Sequence, residues 1–203
     1  MENNQAVKKK LGIKDFVLMG IFSAIMFALA MVLMFITGVT PAVYLFYPAI
    51  FALICGPLFM LIAVKVQKFG AFLIPSAIMG ILLGLMGAQT LLITVIVFGI
   101  IAELIANSGK YQDYKRISIA YIVLMLGFYA GDIAPIYVFT DWYIQQATGG
   151  VAGADMTYLN SLIGVAKSWL GALSVISCLI TAFLGTVIGK RILKKHFEKA
   201  GLI

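Results

Sequence analysis

Residues 129–169, with the sequence YAGDIAPIYVFTDWYIQQATGGVAGADMTYLNSLIGVAKSW, interrupt a chain that is otherwise mostly apolar or basic. This stretch combines aromatic, amide and hydroxyl side chains with three carboxylates, Asp132, Asp141 and Asp155. Asp132 stands inside an apolar run, where a charged side chain is costly and is seldom carried without a role. The stretch is therefore the first candidate for a binding region, and the apolar segments around it are candidates for the helices that support it.

The composition of the whole chain indicates a membrane protein. Of its 203 residues, 63% are hydrophobic and only 11% are charged, whereas about a quarter of the residues in a soluble domain are charged. Several uncharged runs reach about 20 residues, which is the length that crosses a hydrocarbon core of about 30 Å. We therefore expect an all-α polytopic membrane protein that consists of a single membrane domain.

The apolar runs predict six transmembrane helices, at about 16–36, 42–64, 70–86, 91–106, 117–139 and 168–189. The uncharged run 69–102 would measure about 51 Å as one helix, so two short helices joined by a turn at 87–90 fit it better. Residues 1–15 and 190–203 are then short polar tails, and a long segment separates the last two helices.

The basic residues predict the orientation of the chain in the membrane. Apart from Lys167, they form clusters beside the apolar runs: Lys8, Lys9, Lys10 and Lys14; Lys65 and Lys68; Lys110, Lys115 and Arg116; and Lys190, Arg191, Lys194, Lys195 and Lys199. Such clusters mark cytoplasmic loops. Both termini are therefore expected in the cytoplasm, and the net charge of +7 indicates topology and contact with the lipid bilayer more than binding of nucleic acid.

Asp132 is the strongest candidate for substrate binding. It lies about 24 Å along the helix from Arg116, near the outer edge of the hydrocarbon core. Tyr129 stands one turn earlier on the same helix face, and Pro135 interrupts the helix and frees backbone carbonyls that could face a cavity. Alternatively, the Asp132 carboxylate is hydrated at the interface or bonded to a neighbouring tyrosine, and the sequence leaves both interpretations open.

Further candidates for substrate binding stand near the predicted outer ends of the helices: Tyr44, Gln89, Asp141, Trp142 and Trp169, with Tyr47, Thr90 and Tyr143 beside them. The aromatic side chains could stack on a flat ligand, although anchoring at the membrane interface is their commoner role. For Gln89 the alternative is plain exposure to solvent.

The sequence contains no motif of an enzyme. HExxH, GxSxG and the phosphate loop GxxxxGK[ST] are all missing, and the single histidine, His196, lies in the basic tail. Cys55 and Cys178 stand in apolar segments, where free thiols are usual. Glu103 is expected to pair with a loop lysine. We therefore expect no catalytic activity, no metal site and no cofactor.

Stripes of small residues suggest close helix packing. The first helix carries Gly20, Ala24 and Ala28 at four-residue spacing, which suits either a docking face for another protein or packing inside the bundle. Similar stripes occur in the third helix, Ser76, Gly80 and Gly84, and in the sixth, Gly171, Ser174, Cys178, Ala182, Gly185 and Gly189. Most of these stripes must therefore serve internal packing.

Four segments resemble the substrate-binding S components of energy-coupling factor (ECF) transporters, and specifically the Trep_Strep group. They are KLGIKDFVLMGIFSAIMF (10–27), YPAIFALICGPLFMLIAVKVQKFG (47–70), GILLGLMG (80–87) and GKRILKKHFEKAGL (189–202). The resemblance implies a six-helix bundle with a ligand pocket near its outer face. It also implies that an AxxxA motif, here Ala24 to Ala28, docks a transmembrane T component that works with two ATPase subunits.

The function expected from this resemblance is capture of a small water-soluble, vitamin-like nutrient on the outer face, followed by import through the T component. Two alternatives stay open, a stand-alone ion-coupled carrier and a non-transporting membrane scaffold. Carriers usually place ionisable groups near the membrane midplane, where this sequence has none. The sequence does not indicate which nutrient is bound.

Overall fold

The computed structural model of the protein describes residues 10–149 and 156–194, and these residues are helical with no strand. The helices are α1 (Ile13–Thr37), α2 (Pro41–Tyr44), α3 (Tyr47–Val66), α4 (Leu73–Leu85), α5 (Gln89–Ser108), α6 (Tyr114–Asp132), α7 (Ala134–Val138), α8 (Thr140–Thr148), α9 (Thr157–Ala166) and α10 (Trp169–Ile192). The all-α expectation is thus confirmed for this part of the chain. Asp155, His196 and most of both tails lie outside the described residues.

Four helices of the described part, α1, α3, α5 and α10, are long and apolar enough to cross a membrane. α4 is apolar but has 13 residues, and α6 has 19. Large apolar side chains are exposed along the outside of the long helices, among them Ile25, Val97 and Ile176. This surface suits contact with lipid, and the chain is a multi-pass membrane protein.

The long helices pack together into one bundle. α5 lies against α4 and α6, α10 lies against α3 and α6, and α1 lies against α3 and α4. The backbones of α3 and α10 approach closely where two glycines meet, since a Cβ atom added to Gly56 of α3 would come within 2.5 Å of Gly185 in α10. The small-residue stripe of α10 is buried, and the stripe of α4 lies against Leu92 and Val95 of α5. Both stripes therefore serve internal packing.

Local sequence signals explain several helix boundaries. The Asp113 carboxylate accepts a hydrogen bond from the Lys115 backbone at the start of α6, and the Ser168 hydroxyl accepts one from the Leu170 backbone at the start of α10. Such side chains satisfy amide groups that have no partner inside the helix. Gly87, with a φ of 106°, allows the turn between α4 and α5, inside the region 87–90 where the sequence predicts a turn.

Three regions differ from the sequence prediction. The helix expected at 42–64 is divided into α2 and α3, and the helix expected at 117–139 stops at Asp132, where α7 follows it. Pro135 has no backbone N–H, so it cannot donate to the carbonyl of Gly131 four residues earlier. The segment after Phe139, which the sequence predicts only as a long outer connection, contains the helices α8 and α9.

Glu103 is fully buried in α5 and organises the end of the bundle that carries the basic clusters. Its Oε2 atom accepts hydrogen bonds of 2.8 Å from the backbone amides of Phe72 and Leu73, and its Oε1 atom accepts one from the Tyr111 hydroxyl. The amides at the start of α4 have no partner within that helix, so Glu103 caps it. The prediction that Glu103 pairs with a loop lysine is wrong.

Candidate binding cavity

A cavity of about 430 Å³ lies where α1, α4 and α6 end and where α3 and α5 begin. Volumes of this size are typical of sites for small molecules. Its wall contains four aromatic residues, Tyr44, Tyr47, Trp142 and Tyr143. Methionine side chains from α1 and the end of α4 add apolar surface, and Thr90, Asp132 and Gln146 add polar groups.

The cavity lies at the end of the bundle opposite the basic clusters. α1 begins beside Lys10 and Lys14 and ends at the cavity, whereas α3 begins at the cavity and ends beside Lys65. α5 begins at the cavity and ends beside the loop that contains Lys110, and α6 begins beside that loop and ends at the cavity. Apart from Lys167, the described basic residues are thus separated from the cavity along the bundle axis.

Asp132, the last residue of α6, belongs to the cavity wall. The Tyr44 hydroxyl donates a long hydrogen bond of 3.4 Å to its Oδ1 atom, while its Oδ2 atom is buried without a hydrogen-bond partner among the described residues. An ionised carboxylate can accept about four hydrogen bonds, and a buried acceptor left without a partner costs about 1–3 kcal/mol. The carboxylate of Asp132 is therefore held in place with most of its acceptor capacity unused.

The start of α5 fixes the position of Asp132. Thr90 donates a 2.7 Å hydrogen bond to the Gly131 carbonyl, which is the carbonyl that Pro135 cannot satisfy. A Cβ atom at Gly131 would collide with Leu91 and Thr94, so glycine is needed for α5 to approach this closely. Thr90 and Gly131 together hold the end of α6 against the cavity.

Tyr129 does not line the cavity, in contrast to the prediction that it forms a wall beside Asp132. Its side chain is buried, and its hydroxyl shares a 2.8 Å hydrogen bond with Ser174 and donates a 3.3 Å bond to the Gly171 carbonyl. A buried hydroxyl requires such a partner, and α10 supplies it. Tyr129 therefore fastens α6 to α10.

The remaining predicted binding residues divide into two groups. Tyr44 and Trp142 line the cavity with Asp132. Gln89 and Asp141 are exposed and lie outside its wall, and so does Trp169, which is 72% exposed. The position of Trp169 suits the alternative interpretation of an interfacial anchor.

The cavity wall also contains Tyr47 and Tyr143, which the sequence offers beside the main candidates, and Gln146, which the sequence does not single out. Tyr47 stacks on Tyr44, with ring centroids 6.0 Å apart and planes at 5°, and Tyr143 and Gln146 come from α8. Burial, together with the neighbouring Asp132 carboxyl, raises the pKa of Tyr143 to about 12, so its hydroxyl stays protonated. The sequence signal for Gln146 was its spacing from Trp142, because residues four apart lie on one face if 140–148 is a helix.

The small-residue stripe of α1 faces away from the bundle. Ala24 and Ala28 are exposed and Gly20 is partly exposed, and a Cβ atom added to Gly20 would meet no atom within 4 Å. The buried residues of α1 are Met19, Ser23, Met26, Ala30 and Thr37. Internal packing therefore does not explain this stripe within the described part of the chain.

Together, the fold and the cavity define a multi-pass helical membrane protein with an acidic, solute-sized cavity at one end. The chain belongs to the Trep_Strep family, whose profile matches residues 13–199 and which is described as a family of hypothetical bacterial integral membrane proteins. No curated protein and no solved structure matches the chain significantly. No three His, Cys, Asp or Glu side chains come together as a metal site in residues 10–149 and 156–194.

Proposed function

We propose that this protein is the substrate-binding S component of an ECF-type importer in the bacterial cytoplasmic membrane. It captures a small water-soluble, vitamin-like nutrient from outside the cell. The observation that carries this proposal is the cavity with the under-satisfied Asp132 carboxylate at the end opposite the basic clusters. Basic loops stay in the cytoplasm, so the cavity faces outward. The same rule gives six membrane crossings with both termini inside.

The lining of the cavity suits a small polar solute with an apolar body. Asp132 accepts hydrogen bonds from the solute, and Thr90, Tyr143 and Gln146 offer further polar groups around it. The rings of Tyr44 and Trp142 provide surfaces on which a flat part of the solute stacks. A captured solute gives the Asp132 carboxylate hydrogen-bond donors that the described chain does not provide.

Partner subunits supply the energy for import in this proposal. The sequence has no phosphate loop, and the outward-facing stripe of Gly20, Ala24 and Ala28 is a surface on which another helix can pack closely. A transmembrane T component that binds there would connect the protein to two ATPase subunits. An ion-coupled carrier and a scaffold are the alternatives that the experiments below separate.

Intrinsic fluorescence tests the capture step. The chain has two tryptophans, of which Trp142 lines the cavity and Trp169 does not. In the Trp169→Phe protein, we expect the polar small-molecule fraction of a rich growth medium to change Trp142 emission in a saturable manner. The Trp142→Phe protein is the matched control and should show no change. Absence of any response in Trp169→Phe would contradict capture in this cavity.

Affinity purification from native membranes tests the partner assignment. We expect a T component and two ATPase subunits to co-purify with the protein, and the pair Ala24→Leu and Ala28→Leu to abolish this without altering the fluorescence response. Transport by the purified chain alone in liposomes would instead support the ion-coupled carrier. If the protein still captures solute but neither co-purifies with partner subunits nor transports solute by itself, the importer assignment is overturned.

A further inference from the structure

The cavity wall carries a carboxyl group without a basic partner. Asp132 is the single carboxyl among the described lining residues, and none of the others is Lys, Arg, His or Glu. The Tyr44 hydroxyl is its one hydrogen-bond donor in the described chain, at 3.4 Å, and this donor brings no positive charge. The charge of the carboxylate is therefore left for the solute to balance.

This imbalance discriminates between classes of solute. An anion would place a second negative charge beside Asp132 in a partly desolvated site, where like charges repel strongly. A neutral solute could donate hydrogen bonds but would bring no positive charge to a carboxylate that has no basic partner in the wall. A cation both balances the ionised carboxylate and donates a charge-assisted hydrogen bond to it.

The rest of the wall suits a cation that has an apolar body. Tyr44, Tyr47, Trp142 and Tyr143 belong to the same wall as Asp132, and aromatic rings attract a cation that approaches their faces within about 6 Å. Met31, Met34 and Met86 add flexible, polarisable surface, which adapts to an irregular apolar shape. The cavity of about 430 Å³ is also much larger than a bare metal ion requires.

We infer that the captured solute is a small organic monocation. Its cationic group binds the Asp132 carboxylate, and its body packs against the aromatic and methionine side chains of the wall. This inference rests on the proposed function, because it names the class of solute that the outward cavity takes.

Fractionation of the growth medium by charge tests the inference. The polar small-molecule fraction is separated by ion exchange at neutral pH into cationic, neutral and anionic pools, and salt is removed. Each pool is titrated into the Trp169→Phe protein while Trp142 emission is followed. We expect the cationic pool alone to give a saturable response. Asp132→Asn should weaken that response at least tenfold, whereas Asp132→Glu should keep the preference for the cationic pool.

The possible outcomes separate the inference from the proposed function. A saturable response to the neutral or anionic pool overturns the inference that the solute is a monocation. The proposal that the cavity captures a solute then still holds. No response to any pool overturns both. An unchanged response of a folded Asp132→Asn protein to the cationic pool overturns the role of Asp132. The comparison of pools uses only the Trp169→Phe protein, so it remains decisive if Asp132→Asn fails to fold.

Discussion

Glu103 and Asp132 are carboxylates at opposite ends of the same helix bundle, and their surroundings differ sharply. Glu103 accepts hydrogen bonds from two backbone amides and from the Tyr111 hydroxyl. Asp132 has one long bond from Tyr44 and a buried oxygen without a partner in the described chain. The number of hydrogen-bond donors around each carboxylate, more than its burial, therefore distinguishes the acid that stabilises the fold from the acid whose acceptors stay free in the described chain.

Helix geometry explains the difference. Glu103 lies beside the start of α4, where unpaired N–H groups point out of the helix and favour negative charge. Asp132 lies at the end of α6, where a helix presents carbonyls and a partial negative charge. A carboxylate at that position gains little from its own helix, so stability alone does not account for it.

The largest expected effect is the loss of stability in Glu103→Ala. This change leaves two backbone amides and the Tyr111 hydroxyl without their acceptor, and each unsatisfied buried group costs about 1–3 kcal/mol. We expect the free energy of unfolding in detergent to fall by at least about 3 kcal/mol. Asp132→Ala is the control and should change it by less than about 1 kcal/mol. Equal losses in the two variants would remove the distinction between the two acids.

The next largest effect is the loss of solute affinity in Asp132→Asn. Hydrogen bonds to charged groups contribute about 1.5–3 kcal/mol, so the dissociation constant measured by Trp142 fluorescence should rise about tenfold or more. The Glu103→Gln protein, provided that it folds, should bind the solute with the same affinity as the parent protein. If Asp132→Asn binds as tightly as the parent, Asp132 is not part of the binding site.

Removal of one tyrosine hydroxyl at each acid sharpens the comparison. Tyr111→Phe removes one of three donors to Glu103 and should lower the free energy of unfolding by about 1 kcal/mol. Tyr44→Phe should leave stability within about 0.5 kcal/mol, because the bond that it removes is long. It should still weaken solute binding about threefold. The reverse pattern, with stability lost in Tyr44→Phe alone, would contradict the assigned roles.

The smallest effect on stability is expected at the outward stripe of α1. Ala24→Leu adds volume on an exposed face, so thermal unfolding in detergent should stay within about 0.5 kcal/mol of the parent. Ala182→Leu in the buried stripe of α10 is the matched control and should destabilise by about 1–3 kcal/mol. A comparable loss in Ala24→Leu would show that the α1 stripe packs within the chain.

Much of the fold is predictable from the sequence, because apolar run lengths and turn residues act locally. The turn at 87–90 and the interruption before Pro135 follow from glycine and proline chemistry. The partners of Glu103 do not follow, because residues 72 and 73 meet it through the packing of α4 on α5 and residue 111 meets it through the turn after α5. The cost of Asp132 in an apolar run marked it as a residue with a role but left two interpretations open, and the structure shows both a place in the cavity wall and a bond from Tyr44.

The aromatic residues of the site were predictable only in part. Tyr129 stands one turn before Asp132, yet its hydroxyl bonds to Ser174 of α10, and spacing along one helix does not reveal which neighbour it meets. Tyr47, Trp142 and Tyr143 were identified by residue type, whereas Gln146 required the knowledge that 140–148 is helical.

Cysteine labelling in intact cells tests most directly the central claim that the cavity receives solute from outside. Gln146→Cys places a thiol in the cavity wall, and Lys110→Cys places one at the basic end, while the native cysteines are buried. We predict that a membrane-impermeant maleimide labels Gln146→Cys in intact cells, more slowly when the polar medium fraction is present, and labels Lys110→Cys only after the membrane is opened. Labelling of Lys110→Cys from outside, with Gln146→Cys protected, would contradict the account.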